Sequence, residues 1–272
     1  MPTGDTVDFE AITKKQQTVW ASGDFNEVAR QVMQVSDDLV RAADPRAGQH
    51  VLDVACGSGN AALIAARRYC DVIGIDYVPA LVERAKVRAA AEGTRIDFRV
   101  ADAQDLPFPD ESFDVVLSVF GVMFAPDREK AAAEMLRVCR PGGKIALACW
   151  TPEGFVGEFF KMQSSHVPPL PGVQPPVRWG TEELLRQLLG PGTREIRTAR
   201  RISHQYYHSP EHAVELFKTY FGPTHRAFAA LDDAGKAALE RDMLALFSKH
   251  NRAQDGTAYL ESEYLEVIAT RS

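Results

Sequence analysis

Val51-Leu52-Asp53-Val54-Ala55-Cys56-Gly57-Ser58-Gly59-Asn60 reads as a strand that gives way to a helix through a glycine-bearing turn. Glycines let backbone approach a ligand closely and turn sharply, and a helix start adds free N–H donors. Asp76 closes the next apolar run, Val72-Ile73-Gly74-Ile75-Asp76. A carboxylate at the end of a second strand is placed to accept hydrogen bonds from both hydroxyls of a ribose. Asp102 leaves a third run in Val100-Ala101-Asp102-Ala103-Gln104-Asp105-Leu106-Pro107-Phe108, where it can accept from the exocyclic amino group of an adenine. The chemistry suggested is nucleoside binding. The first two features alone are ambiguous. Gly57-x-Gly59-x-x-Ala62 also fits the looser dinucleotide fingerprint, and a tight turn beside a capping acid needs no ligand.

The elements that must position these residues follow from periodicity. A helix is predicted over about Phe25 to Ala43, with Phe25, Val28, Ala29, Val32, Leu39, Val40 and Ala43 on one face, Asp24 as cap and Pro45 as stop. From residue 49, short apolar runs alternate with helices. Strands are expected at His50–Ala55, Asp71–Ile75, Ile96–Val100, Phe113–Phe120 and Lys144–Trp150, and helices at Asn60–Arg68, Pro79–Ala91 and Arg128–Cys139. Arg140-Pro141-Gly142-Gly143 reads as a turn. Five strands separated by crossovers argue for a parallel sheet covered on both faces. The regularity breaks at Thr151. Five prolines between His166 and Trp179 forbid an interior helix or strand there, and an ordered loop is expected. Further helices are expected at Thr181–Leu189, Ser209–Phe221 and Asp232–His250, with extended chain at Arg194–Tyr207, Ala258–Leu260 and Tyr264–Thr270.

Five motifs in order, at Asp53–Asn60, Asp76, Asp102–Phe108, Phe113–Phe120 and Arg140–Gly143, resemble those of the class I S-adenosylmethionine-dependent methyltransferases. The branch resembled is that of the quinone-biosynthesis C-methyltransferases. The resemblance is close over 45–151 and looser outside. It implies an α/β fold: a Rossmann-like, doubly wound, seven-stranded sheet, mostly parallel with an antiparallel last strand from Tyr264–Thr270. It also implies a helical lid at 1–44, the cofactor-binding core at 45–151, and a helical cap plus terminal strands at 152–272. S-adenosylmethionine would be the cofactor and S-adenosylhomocysteine the product. By the same resemblance Asp53, Ala55, Gly57, Ser58 and Gly59 would lie along the methionine part. Asp76 would hold the ribose, Tyr77 would pack on the adenine, Asp102, Ala103 and Gln104 would read its edge, and Phe120 would face the methyl donor. Ala55 stands where the family's usual first glycine would be, and alanine there is expected to turn at negative φ.

A sulfonium methyl group is already electrophilic, so the protein mainly needs to align the reactants and exclude water. That agrees with a sequence lacking GxSxG and HExxH patterns and clustered metal-ligand spacing. No metal is expected. If the acceptor must lose a proton, His166 and His208 are the candidate bases, because both flank the expected cap. Aromatic residues crowd the outer segments. Trp20, Phe159, Trp179 and Tyr220 are candidates for lining a mostly apolar acceptor pocket, the alternative being that such residues form only the cap's own core. The lid is expected to close over the cofactor, hinging at Ser22-Gly23.

Length and charge bound the remaining classes. With 272 residues, 45% hydrophobic and 25% charged, the chain has an ordinary globular composition. A net charge of −6 disfavours tracking phosphates. Ser118-Val119-Phe120-Gly121 lacks the Asn/Asp-Pro-Pro-aromatic run that the resemblance associates with amino-methylating DNA enzymes. A small-molecule acceptor is therefore expected rather than nucleic acid. Cys56, Cys70, Cys139 and Cys149 show no CxxC pair and read as packed small residues in a reducing compartment. Met1–Asp5 lacks a leader pattern and no run suits a membrane span, so a cytoplasmic protein is expected. The sequence does not show an oligomeric state. The rival functions are a nicotinamide-dependent oxidoreductase and a cofactor-binding protein without catalysis.

Overall fold

A computed structural model describes residues 7–272; Met1–Asp5, read above for a leader, lies outside the described residues. The chain runs α1 Phe9–Trp20, α2 Phe25–Ala29, α3 Met33–Ala43, β1 His50–Val54, α4 Asn60–Ala66, β2 Asp71–Asp76, α5 Pro79–Ala91, β3 Asp97–Val100, β4 Phe113–Val119, α6 Arg128–Val138 and β5 Cys139–Trp150. It continues through α7 Phe155–His166, α8 Glu182–Leu189, β6 Thr193–Tyr207, α9 Pro210–Tyr220, α10 Gly222–Ala230, α11 Asp233–His250 and β7 Ala258–Arg271. The sheet has seven strands in the order β3-β2-β1-β4-β5-β7-β6. β1 to β5 are mutually parallel, and β7 runs antiparallel to both β5 and β6. The order reverses at β1, between β2 and β4. In such sheets ligands bind outside the carboxyl ends of the strands at that point.

The central parallel strands β1 and β4 are largely apolar because helices cover both faces, whereas the edge strand β3 buries only Phe98. Val51, Leu52 and Val54 of β1 and Val115, Val116 and Leu117 of β4 are all buried. A second apolar cluster belongs to the cap. Phe155, Phe159, Phe217, Phe247 and Leu260 bring α7, α9, α11 and β7 together.

Several expected boundaries shift, each for a physical reason. The helix expected over 25–43 is broken into α2, a 3-10 turn at Arg30–Val32 and α3. The Ala29 carbonyl accepts from the Asn60 side chain at 3.0 Å, and Val32 leaves the helical region at φ −108°, ψ 14°. The polar run ahead of it forms α1, capped by Asp8, and α7 and α10 also escape the periodicity argument. Arg140–Gly143 is not a free turn but the irregular first part of β5, where the register against β4 shifts between Phe113 and Val115. The two short terminal strands are one, β7, which pairs with β6 from Thr193↔Arg271 to Tyr207↔Ala258.

The end of α1 and the turn before α2 meet the α9–α10 junction along a seam of backbone. A Cβ on Gly23 would sit 2.2 Å from the Tyr220 carbonyl oxygen, and one on Gly222 would sit 2.4 Å from that of Val19. Gly23→Ala is therefore expected to destabilise the protein by about 1–3 kcal/mol, because backbone must move to admit a methyl group. Gly190, helical at φ −49° with open space around its Cβ direction, is the control. Gly190→Ala should leave the melting temperature unchanged or slightly raised, and equal losses in both variants would refute the seam.

Candidate active site

A cleft opens above β1, β2, β3 and β4 and is roofed by α1, α2 and α3. Every strand end named in the sequence contributes to it: Asp53, Ala55, Gly57 and Ser58 after β1, Asp76 and Tyr77 after β2, Asp102, Ala103 and Gln104 after β3, and Phe120 after β4. Gly59 does not face the cleft. It caps α4 at φ 85°, and a Cβ there would meet the Phe98 ring at 2.9 Å.

Two buried carboxylates hold the glycine turn. One oxygen of Asp53 accepts from the Ala62 N–H at 2.9 Å, fixing the first turn of α4. Asp76 accepts from the Gly57 N–H at 2.9 Å and from the Val78 N–H at 2.8 Å, so it ties the turn after β1 to the end of β2. Burial disfavours both charges. It raises Asp53 to about 7 and Asp76 to about 6, despite the opposing N–H donors. Burial also raises the Tyr77 hydroxyl and the Cys56 thiol, so Cys56 is a packed thiol and not a nucleophile. Asp102 accepts from the Gln104 N–H at 2.9 Å. The Gln104 side chain then donates to Thr13 Oγ1 at 2.9 Å and accepts from the Asp127 N–H at 2.7 Å. Gln17 adds a second tie from α1, donating to the Tyr77 carbonyl.

The other wall is aromatic. Trp20 meets Phe124, Phe25 and Phe221 edge-on at centroid distances of 4.8, 5.3 and 5.4 Å. Phe120 stacks flat on Trp150 at 3.6 Å. Of the four aromatics expected to line an acceptor pocket, only Trp20 lies on the cleft. Phe159 is buried in the cap cluster against Phe217, Trp179 is buried in the main core, and Tyr220 is partly exposed at the end of α9. None of these three lines the cleft: Phe159 and Trp179 are core residues, and Tyr220 is exposed. Neither candidate base reaches the cleft. His166 pairs with Asp242 at 2.9 Å, and the His208 N–H donates to His212 Nδ1 at 3.3 Å. Residues not anticipated at the cleft include Ala29, Val32, Ser36, Phe124 and Leu81. The spacing of Phe25, Ala29, Val32 and Ser36 marks one helical stripe, a signal present in the sequence.

Ala55 overturns the expectation of a negative φ. It sits at φ 53°, and Phe120 at φ 55°. Left-handed backbone costs a non-glycine residue about 1–2 kcal/mol, and such strain collects at functional sites. Gly121 follows from it, because a Cβ there would lie 2.5 Å from the Ala55 carbonyl oxygen.

Ala55→Gly is expected to raise stability by about 0.5–1 kcal/mol in urea unfolding, strain relief exceeding the entropy that glycine adds to the unfolded chain. A loss would mean that the methyl group packs usefully. The raised acids make a second prediction. Between pH 4 and 7 the folded state holds protons that the unfolded state has released, so these two groups lower stability as pH rises through that window. Asp76→Asn removes one of them, and the fall in stability from pH 5 to pH 8 should be smaller than in wild type. An unchanged pH slope would contradict the burial argument.

A family model described as "Methyltransferase domain" matches residues 52–147. An uncharacterized protein of Mycobacterium tuberculosis is 38% identical over 265 residues, covering 96% of each chain. Demethylmenaquinone methyltransferase of Deinococcus radiodurans is 38% identical over 137 residues, 47% of this chain and 57% of that protein. The crystal structure of the YcgJ protein from Bacillus subtilis superposes with a TM-score of 0.62 at 20% identity, over 88% of this chain and 98% of that one. The glycine turn, the acids at three successive strand ends and these likenesses agree. The chain belongs to the class I S-adenosylmethionine-dependent methyltransferases.

Proposed function

We propose that this enzyme methylates a small, mostly apolar molecule. The observation that carries the reading is the cleft's composition: among the described residues no Lys, Arg or His lines it, and its outer wall is Trp20, Phe25, Val32, Phe120 and Phe124. Such a wall takes up an apolar acceptor and gives an anionic one no partner.

The residues present fit S-adenosylmethionine, which when bound supplies an electrophilic methyl group. Three carboxylates face a cleft without cationic side chains, a charge balance that suits a cationic ligand. Asp76, already oriented by two N–H donors, accepts from the ribose hydroxyls with its remaining lone pairs. Asp102, with its loop fixed by Gln104, accepts from the adenine amino group. Ala103 and Tyr77, which line the cleft, would flank the base, and Phe120 and Trp20 would face the reacting centre. The aromatic wall excludes water, and the strained Phe120 backbone holds its ring against Trp150. Since neither His166 nor His208 lines the cleft, no imidazole takes the acceptor's proton. The acceptor must bring a nucleophile that is already competent or easily ionised.

Calorimetry with S-adenosylhomocysteine and NAD tests the cofactor part; tight binding of NAD alone would favour an oxidoreductase instead. Asp76→Ala is expected to weaken S-adenosylhomocysteine by about 2–4 kcal/mol, from the loss of two charge-assisted hydrogen bonds. Unchanged affinity would remove Asp76 from the site. A methyl-release assay across neutral aromatic, lipid-like and anionic acceptors tests the rest, and turnover confined to anionic acceptors would overturn the apolar reading.

A further inference from the structure

Ser36 lies in the first turn of α3 and is fully buried. Its hydroxyl oxygen has no hydrogen-bond partner. Of the buried side-chain polar atoms without partners among the described residues, it is the one that belongs to a residue lining the cleft. The other polar side chains there are engaged. Asp53, Asp76 and Asp102 accept from backbone N–H groups, Ser58 and Asn60 accept from Arg88 at 3.0 and 2.7 Å, and Gln104 bridges Thr13 and Asp127. A buried hydroxyl without a partner is costly, and native proteins rarely keep one unless something else completes it.

The position of Ser36 says what completes it. Phe25, Ala29, Val32 and Ser36 form one stripe along α2 and α3 facing the cleft. The stripe begins at the glycine turn, where the Phe25 ring lies 3.8 Å from the Cβ direction of Gly57. It continues down α3, which packs on β4, β5 and α4, on the far side of the turn from Asp102 and β3. With base and ribose assigned to Asp102 and Asp76, the portion of the ligand left to reach Ser36 is the amino-acid end. That end carries an ammonium and a carboxylate. Asp53 uses one oxygen on Ala62 and lines the cleft, which leaves its other oxygen for the ammonium. Among the described residues no Lys, Arg or His lines the cleft, so the carboxylate needs a neutral donor, and a hydroxyl is one.

We infer that the Ser36 hydroxyl donates to the α-carboxylate of the cofactor's amino-acid end, and that α3 thereby positions the methionine part from the side opposite the glycine turn. This rests on the S-adenosylmethionine reading above.

The test compares S-adenosylhomocysteine with 5′-methylthioadenosine, which shares the adenosine and sulfur but lacks the amino-acid end. Calorimetry on the full chain is run with wild type, Ser36→Ala and Ser36→Cys. Ser36→Ala should weaken S-adenosylhomocysteine about tenfold and leave methylthioadenosine within about twofold, with Ser36→Cys intermediate. The ligand-free melting temperature of Ser36→Ala should be unchanged or higher, because an unpartnered hydroxyl is removed. Equal weakening of both ligands, unchanged S-adenosylhomocysteine affinity, or a marked loss of ligand-free stability would each overturn the inference. If wild type binds neither ligand, the cofactor reading itself fails. If wild type binds both equally, only the amino-acid subsite is lost.

Discussion

The arrangement depends on one interaction, the acceptance by Asp76 of the Gly57 N–H at 2.9 Å. It joins the turn after β1 to the end of β2 at the point where the strand order reverses. A left-handed glycine turn leaves its N–H groups aimed inward, and without an acceptor they would be buried unpaired. Asp53 does the same for the first turn of α4 through Ala62. Both carboxylates sit where burial opposes their charge, and both are raised accordingly. The ligand-free fold therefore carries an electrostatic cost at the place where a cationic ligand with hydroxyl donors would relieve it. That is preorganisation in the ordinary physical sense: polar groups fixed before binding, with little left to reorganise.

Backbone strain follows from the same geometry. Ala55 and Phe120 leave adjacent strands β1 and β4, both at positive φ, and Gly121 lets the two turns touch. Each turn would relax if the other were absent. The Phe120 N–H donates to the Ala148 carbonyl at 2.9 Å, and its ring is pinned on Trp150, so β5 resists that relaxation. Strain of about 1–2 kcal/mol per residue persists only because the neighbouring strands over-determine it.

Much of this was legible because its signals are local. An apolar run that ends in a lone acid, as in Val72–Asp76, specifies both a buried strand and the residue at its mouth, and the glycine turn announces itself. The roof was less legible. α1 is polar along most of its length, and its docking rests on Thr13 and Gln17 meeting Gln104 and Tyr77, partners that no period can reveal. The break at Arg30–Val32 needs Asn60, thirty-one residues away from Ala29, to take a helix carbonyl. The aromatics misled for a related reason. A phenylalanine on a cap helix carries the same signal whether it faces a ligand or another phenylalanine. Phe159 faces Phe217, Phe221 and Phe247. Trp20 and Phe124 pack edge-on in the cleft wall. Only tertiary placement separates the two cases.

Gln104 draws these levels together. Its amide reaches Asp102 on the floor, Thr13 in the roof and the Asp127 N–H that begins α6. Asp127 in turn caps α6 by accepting from the Lys130 N–H. Movement of α1 away from the cleft would therefore break the Thr13 bond and leave the Gln104 amide with the Asp102 carboxylate, to whose two oxygens it already donates at 3.1 and 3.0 Å. An Asp102 held more tightly by Gln104 has less capacity to accept from a ligand's amino group. The roof helix and the floor carboxylate are thus joined in one hydrogen-bond network. The polar residues that make α1 inconspicuous in the sequence are the ones that connect it to the chemistry below.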